Sequence, residues 1–155
     1  MNIQHRFITA TMLTVACLAG APAALAQSAP SAAAVAPSGL YGALGEKPGI
    51  ARLMDDFVNR VVVDPRIGGH FKDAKPQALK DSLTDQICQL SGGPCKYEGA
   101  DMKSAHADMD IHKGHFNALV EVLQSAMDAQ GIPFTQQNRL LALLAPMHRD
   151  VITIR

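Results

Sequence analysis

The side chains in this sequence that bind metals and exchange protons near neutral pH are histidines. Of the 6 present, His70, His106, His112, His115 and His148 follow residue 39. His112 and His115 stand three apart near a helix start, so either both reach one ion or both are exposed polar residues of a first turn. Adding His106 makes a formal three-ligand zinc set. No carboxylate is clearly placed to activate water, and the adjacent helix stripe already uses Phe116 for packing. His148, beside Arg149, reads as solvent-facing. His70 follows Gly68-Gly69 and precedes Phe71; it reads as a corner residue in solvent or as a further group aimed at a bound ligand. His106 differs in its setting. It lies in Asp101-Met102-Lys103-Ser104-Ala105-His106, after a glycine-rich break and on a short, weakly periodic helical turn. No nucleotide loop, G-x-S-x-G elbow or H-E-x-x-H motif accompanies these residues.

Helical periodicity supplies the elements that must position them, and no stretch alternates like a strand. The first predicted helix runs from Pro48 to Val63, with Ile50, Leu53, Met54, Phe57, Val61 and Val62 on one face. Asp64-Pro65 ends it, because a residue before proline avoids helical geometry. A connector from Arg66 to Lys75 carries Phe71. The second helix, Pro76 to Leu90, presents Leu79, Leu83, Ile87 and Leu90 and stops at Ser91-Gly92-Gly93-Pro94. A short turn from Met102 to Ala107 carries His106. The third long helix, Lys113 to Ala129, presents Phe116, Leu119, Val120, Leu123 and Met127, with Gly131 as its stop. The last, Gln136 to Ile152, is capped by Thr135 and presents Leu140, Leu141, Leu143, Leu144, Met147 and Val151. Pro146 lies inside it and must kink it or leave a carbonyl unpaired. The sum is an all-α domain.

Composition bounds the rest. The chain has 155 residues, room for one domain. With 14 basic and 14 acidic side chains it has no net charge, which argues against a nucleic-acid partner. Residues 1–26 read as a signal peptide: Arg6, an apolar run from Phe7 to Gly20, and Ala24-Leu25-Ala26 as the cleavage pattern. The run is short for a span of about 20 residues, so stable membrane insertion is not expected, with an uncleaved membrane tether as the alternative. Residues 27–39 are an Ala/Pro/Ser-rich tether, and residues 40–155 the folded domain. Cleavage removes Cys17 and leaves Cys88 and Cys95, either bonded in an oxidising periplasmic or extracellular compartment or present as two thiols. Two ligands seven apart make no complete zinc site.

A short helix carrying one histidine, facing apolar stripes, suits a haem, which needs a neutral imidazole and an apolar slot more than many polar groups. The chain from Leu40 to Val151 resembles a truncated haemoglobin of group 1. Leu40-Tyr41-Gly42-Ala43-Leu44-Gly45 is similar to the family's opening. Asp55-Asp56-Phe57-Val58-Asn59-Arg60-Val61, then Asp64-Pro65-Arg66 and Phe71, resemble its first distal helix and the corner after it. Gly92-Gly93-Pro94-Cys95-Lys96-Tyr97-Glu98-Gly99 resembles the glycine-rich link. Met102, Ala105-His106, Ile111 and Phe116 resemble the proximal segment.

The resemblance implies a two-over-two helical sandwich around haem b. It makes His106 the iron ligand and Phe71 the ring packed on the porphyrin. Phe57, Val58, Leu79 and Leu83 become the distal wall, and Met102 part of the proximal wall. Family members commonly carry Tyr at the position of Val58 and often Gln near Leu83, donors that hold bound oxygen. Both positions are apolar here; a lost hydrogen bond of about 1–1.5 kcal/mol would speed oxygen release around tenfold. Gln86, one turn beyond Leu83, is the nearest replacement donor if it does not lie on an exposed flank; Ser82 is a second.

The implied function is binding of a diatomic gas (oxygen, nitric oxide or carbon monoxide), for oxygen transport or for nitric-oxide detoxification with an electron donor of unspecified identity. The apolar distal wall and the exported location weigh against nitric-oxide dioxygenation. The alternatives are a haem redox protein, peroxidase-like or electron-transferring, and a helical binding module without haem.

Overall fold

The computed structural model describes residues 39–154, and their regular structure is helical. The expected signal segment and the tether up to Ser38 lie outside the described residues. Helix α1, Gly39–Ala43, begins one residue inside the expected tether and leads through Gly45, in the left-handed region at φ 79°, into α2, Glu46–Val61. Gly49 has to be glycine, because a Cβ there would run into the Leu44 carbonyl. Helix α2 starts two residues before Pro48 and buries Ile50, Leu53, Met54, Phe57, Val58 and Val61. Val62, expected on that face, lies past the last turn and is exposed.

A 3-10 turn, Gly68–Phe71, follows. Arg66 fixes this corner: its Nε and Nη2 donate to Asp64 at 3.1 and 2.9 Å, and its Nη1 donates to Glu121. Helices α3, Pro76–Leu90, and α5, Lys113–Ala129, have the limits that their proline start and glycine stops predict. The inner face of α3 differs from its leucine stripe. Thr84, Gln86, Ile87 and Cys88 are buried, whereas Leu79, Leu83 and Leu90 are half-buried.

Between them, Cys88 and Cys95 are bonded, with Cα atoms 5.7 Å apart. Gly93 packs against this bridge: a Cβ there would stand 2.7 Å from the Cys88 sulfur. Helix α4, Met102–His106, follows. Asp101 caps it, accepting from the Ser104 amide at 2.9 Å and the Ser104 hydroxyl at 2.8 Å. Those two bonds, the amide's first, hold the Asp101 carboxyl below its ordinary 3.8. A depressed carboxyl pKa stabilises the fold above the unfolded value and loses that contribution as pH falls through the folded one. The thermal midpoint of Asp101→Ala is therefore expected below wild type at neutral pH, with the gap closing as pH falls beneath 3.8. A gap independent of pH would dismiss the charged cap.

The last helix is not continuous. Helix α6, Phe134–Leu144, gives way to a 3-10 turn, Ala145–Met147, and then α7, His148–Val151. Pro146 has no N–H to donate, and its ring crowds the preceding turn; the tighter turn absorbs both. Thr135 does not cap α6, which begins at Phe134 after Pro133 with no side-chain cap. The buried Gln137 amide ties the α5–α6 turn instead, donating to Asp128 Oδ1 at 2.7 Å and the Ile132 carbonyl at 2.9 Å. Leu143, expected inside, is exposed.

The core lies between α2, α3, α5 and α6. Ile50, Leu53 and Leu140 are at 0% exposure; each contributes about 1.5–3 kcal/mol relative to an exposed side chain. Helix α4 packs on α7, and the segment between α4 and α5 is strapped to the chain end: Ile111 N donates to Thr153 Oγ1 at 2.8 Å, and Ile111 O accepts from Thr153 N. Among the described residues no helix is long and apolar enough to cross a membrane.

Candidate functional site

His106 closes α4 with its ring half-buried. Its Nδ1 lies 2.6 Å from the Met102 carbonyl oxygen. A carbonyl only accepts, so Nδ1 carries the proton and donates it. The Nε2 lone pair is left bare on the other side of the ring. This is the arrangement of a histidine oriented to bind a metal through Nε2, with a backbone acceptor setting tautomer and ring angle. Among the described residues no group of three or more His, Cys, Asp or Glu side chains could hold a metal ion. The formal zinc set of His106, His112 and His115 is not gathered.

His106 and Phe71 line one cavity, facing Ile111, Phe116, Leu119 and Val151. The walls are apolar apart from imidazoles. His70 and His115, each read from the sequence either as exposed or as aimed at a ligand or ion, are half-buried and also line the cavity. His70 Nε2 stands 3.1 Å from His115 Nδ1, joining the corner to the first turn of α5. Burial first, then the neighbouring His112 and His70, push the His115 pKa below 6.5. His112 is exposed and caps α5, its Nδ1 accepting from the Gly114 amide at 3.0 Å. His148 is exposed, as expected.

The other expected site residues lie elsewhere. Phe57 and Val58 are buried in the core, and Leu79 and Leu83 pack half-buried against it. Gln86 is not on an exposed flank: at 7% exposure its Nε2 faces Met102 Sδ at 3.7 Å and Met147 Sδ at 4.0 Å. Ser82, the second candidate donor, is half-buried on α3. His70, beside Phe71, and His115, three from His112, were among the candidate ligand-facing residues of the sequence, whereas the share of Leu119 in the cavity had no signal beyond a helix stripe.

A model of the bacterial-like globins matches residues 39–153. The chain belongs to that family. A group 1 truncated haemoglobin of Synechocystis sp. is 31% identical to this globin over 121 residues, 74% of this chain and 98% of the relative. The ferric truncated haemoglobin of Tetrahymena pyriformis superposes with a TM-score of 0.71 at 25% identity, over 74% of this chain and 97% of that one. The 2/2 haemoglobin of Synechococcus sp. shares the fold, with a TM-score of 0.71 at 20% identity over 76% of this chain and 100% of that one. This globin is thus a group 1 truncated haemoglobin with the expected two-over-two helical fold, and that membership implies haem-based ligand binding. The residues present fit a haem: one imidazole with a bare Nε2 and a backbone-locked ring, set among aromatic and aliphatic side chains.

Proposed function

We propose that this globin binds a diatomic gas at the iron of haem b, held by His106. The observation that carries the proposal is the Nδ1–H···O bond from His106 to Met102, which leaves Nε2 as the ligand atom. Haem, when bound, supplies an iron with a coordination position for the gas. The chain's own residues do the rest. His106 would anchor and orient the group, Phe71 would pack against it, and Ile111, Phe116 and Leu119, which line the same cavity, would keep water from it. Met102 contributes its carbonyl to His106 and its thioether to Gln86.

Of the residues that the resemblance assigns to the distal wall, Phe57 and Val58 are core residues, and the half-buried Leu79 and Leu83 keep accessible hydrocarbon. Gln86 supplies the buried amide of that wall. Thioethers are weak acceptors, so a stronger one competes readily for its N–H. Oxygen binding or transport suits such a site. Nitric-oxide detoxification would draw on a separate electron donor, and no feature of the site favours it or a peroxidase-like reaction. Export to an oxidising compartment, with residues 1–26 removed, is supported by the apolar leader and by the Cys88–Cys95 bond.

The test is the absorption spectrum of the reduced, haem-supplemented protein with and without carbon monoxide, with an intact mass of the exported material. A Soret band that moves on adding the gas, and a chain starting at Gln27, are expected. No Soret band would end the haem reading, and a full-length mass the cleavage. On the same preparation, oxygen release from Gln86→Leu is expected to be faster by about tenfold, the worth of one hydrogen bond. An unchanged rate would remove Gln86 from the site.

A further inference from the structure

We propose that His70 and His115 chelate one divalent transition-metal ion, forming a second metal site on the wall of the His106 cavity. The two residues are 45 apart in sequence, yet their facing nitrogens, His70 Nε2 and His115 Nδ1, stand 3.1 Å apart. Two imidazole nitrogens bound to one ion at about 2.0–2.1 Å are separated by about 2.9 Å at a right angle and about 3.4 Å at the tetrahedral angle. The observed separation lies between these limits, so an ion needs almost no change in the distance between the nitrogens; the two rings have to tilt from pointing at each other to pointing at the ion.

Without an ion, one ring donates an N–H to the other. With an ion, the donating ring moves that proton to its outer nitrogen, and both facing lone pairs turn to the metal. Among the described residues no hydrogen bond occupies His70 Nδ1 or His115 Nε2, so either ring can make the change.

The surroundings hold this pair in place. The corner that carries His70 is tied to α5, which carries His115, by Arg66, bonded to Asp64 on one side and Glu121 on the other. His112 stacks on the His115 ring with centroids 3.5 Å apart. Its Nδ1 is committed to the α5 cap, so it props the ring and does not ligate. The site therefore has two protein ligands and open positions for water or an added ligand. Two imidazoles of this kind suit Cu²⁺, Ni²⁺ or Zn²⁺. His106 is not a ligand here, so the site stands independently of the haem assignment.

The test is calorimetric titration of the purified, untagged full chain with ZnCl₂, paired with Cu²⁺ electron paramagnetic resonance. The expected result is one bound ion, with the copper signal split by two imidazole nitrogens. Glutamine keeps hydrogen-bonding capacity and is a poor ligand. His70→Gln and His115→Gln should each weaken binding by at least the roughly tenfold that loss of even an outer-shell partner costs. His148→Gln should leave it unchanged. Binding unaltered in His70→Gln, or no saturable binding by wild type, would overturn the proposal. If His115→Gln fails to fold by circular dichroism, His70→Gln, altered only in the corner turn, still decides.

Discussion

Replacing His106 with alanine is expected to alter the ferrous spectrum and to strip most of the haem from the protein. The ring is locked from behind by the 2.6 Å bond to the Met102 carbonyl, so its Nε2 is presented without a rotamer search. Alanine removes the ligand atom together with its bond to that carbonyl. Loss of an outer-shell partner alone costs roughly 10–100-fold in metal affinity; loss of the ligand itself should exceed that. The apolar packing of Phe71 and Phe116 would still attract the macrocycle, so some haem should remain with an altered spectrum. Haem content and the reduced spectrum of His106→Ala check this. Wild-type ferrous spectra in that variant would place the iron on another residue.

The second large effect is expected from reducing the Cys88–Cys95 bond. The bridge closes a loop of about 8 residues, for which chain entropy predicts stabilisation of roughly 2.5 kcal/mol. For a domain of this size that corresponds to a fall in thermal midpoint on the order of 10 °C. Comparing oxidised and thiol-reduced wild type leaves every side chain in place, so no cavity confuses the result. The loop leads from α3 through Gly93, packed on the bridge and on Tyr41, to Asp101, the cap of the helix that carries His106. Reduction should therefore also quicken haem loss. An unchanged midpoint would mean that packing of Gly93 and Tyr41 alone holds the link.

Much of this architecture was legible in the residues because it is local. Pro76 and the Gly92-Gly93 break set the limits of α3, and Gly131 the end of α5, since a missing N–H and a permissive φ act within one turn. The placement of His106 on a short helix after the glycine-rich link was legible for the same reason. The break at Pro146 was half legible. Proline announced a disturbance, but a 3-10 turn followed by α7 depends on how α7 meets α4.

The leucine stripe of α3 misled, because periodicity gives a face and not the angle at which it docks. Rotating the helix slightly buries Gln86 and Thr84 and brings Leu79 and Leu83 to the edge. Gln86 could be assigned to the interior only once α4 and the Ala145–Met147 turn had brought Met102 and Met147 to its amide.

By itself, then, the sequence determined an all-helical chain, its proline and glycine limits, and one histidine on a short helix suited to iron. These follow from forces acting over a few residues. Only the tertiary structure decided that His70 and His115 leave solvent and face each other at 3.1 Å, and that they share a cavity with His106. Residues 45 apart meet only when burial of α2, α3 and α5 brings the corner onto α5, and no local spacing encodes that meeting.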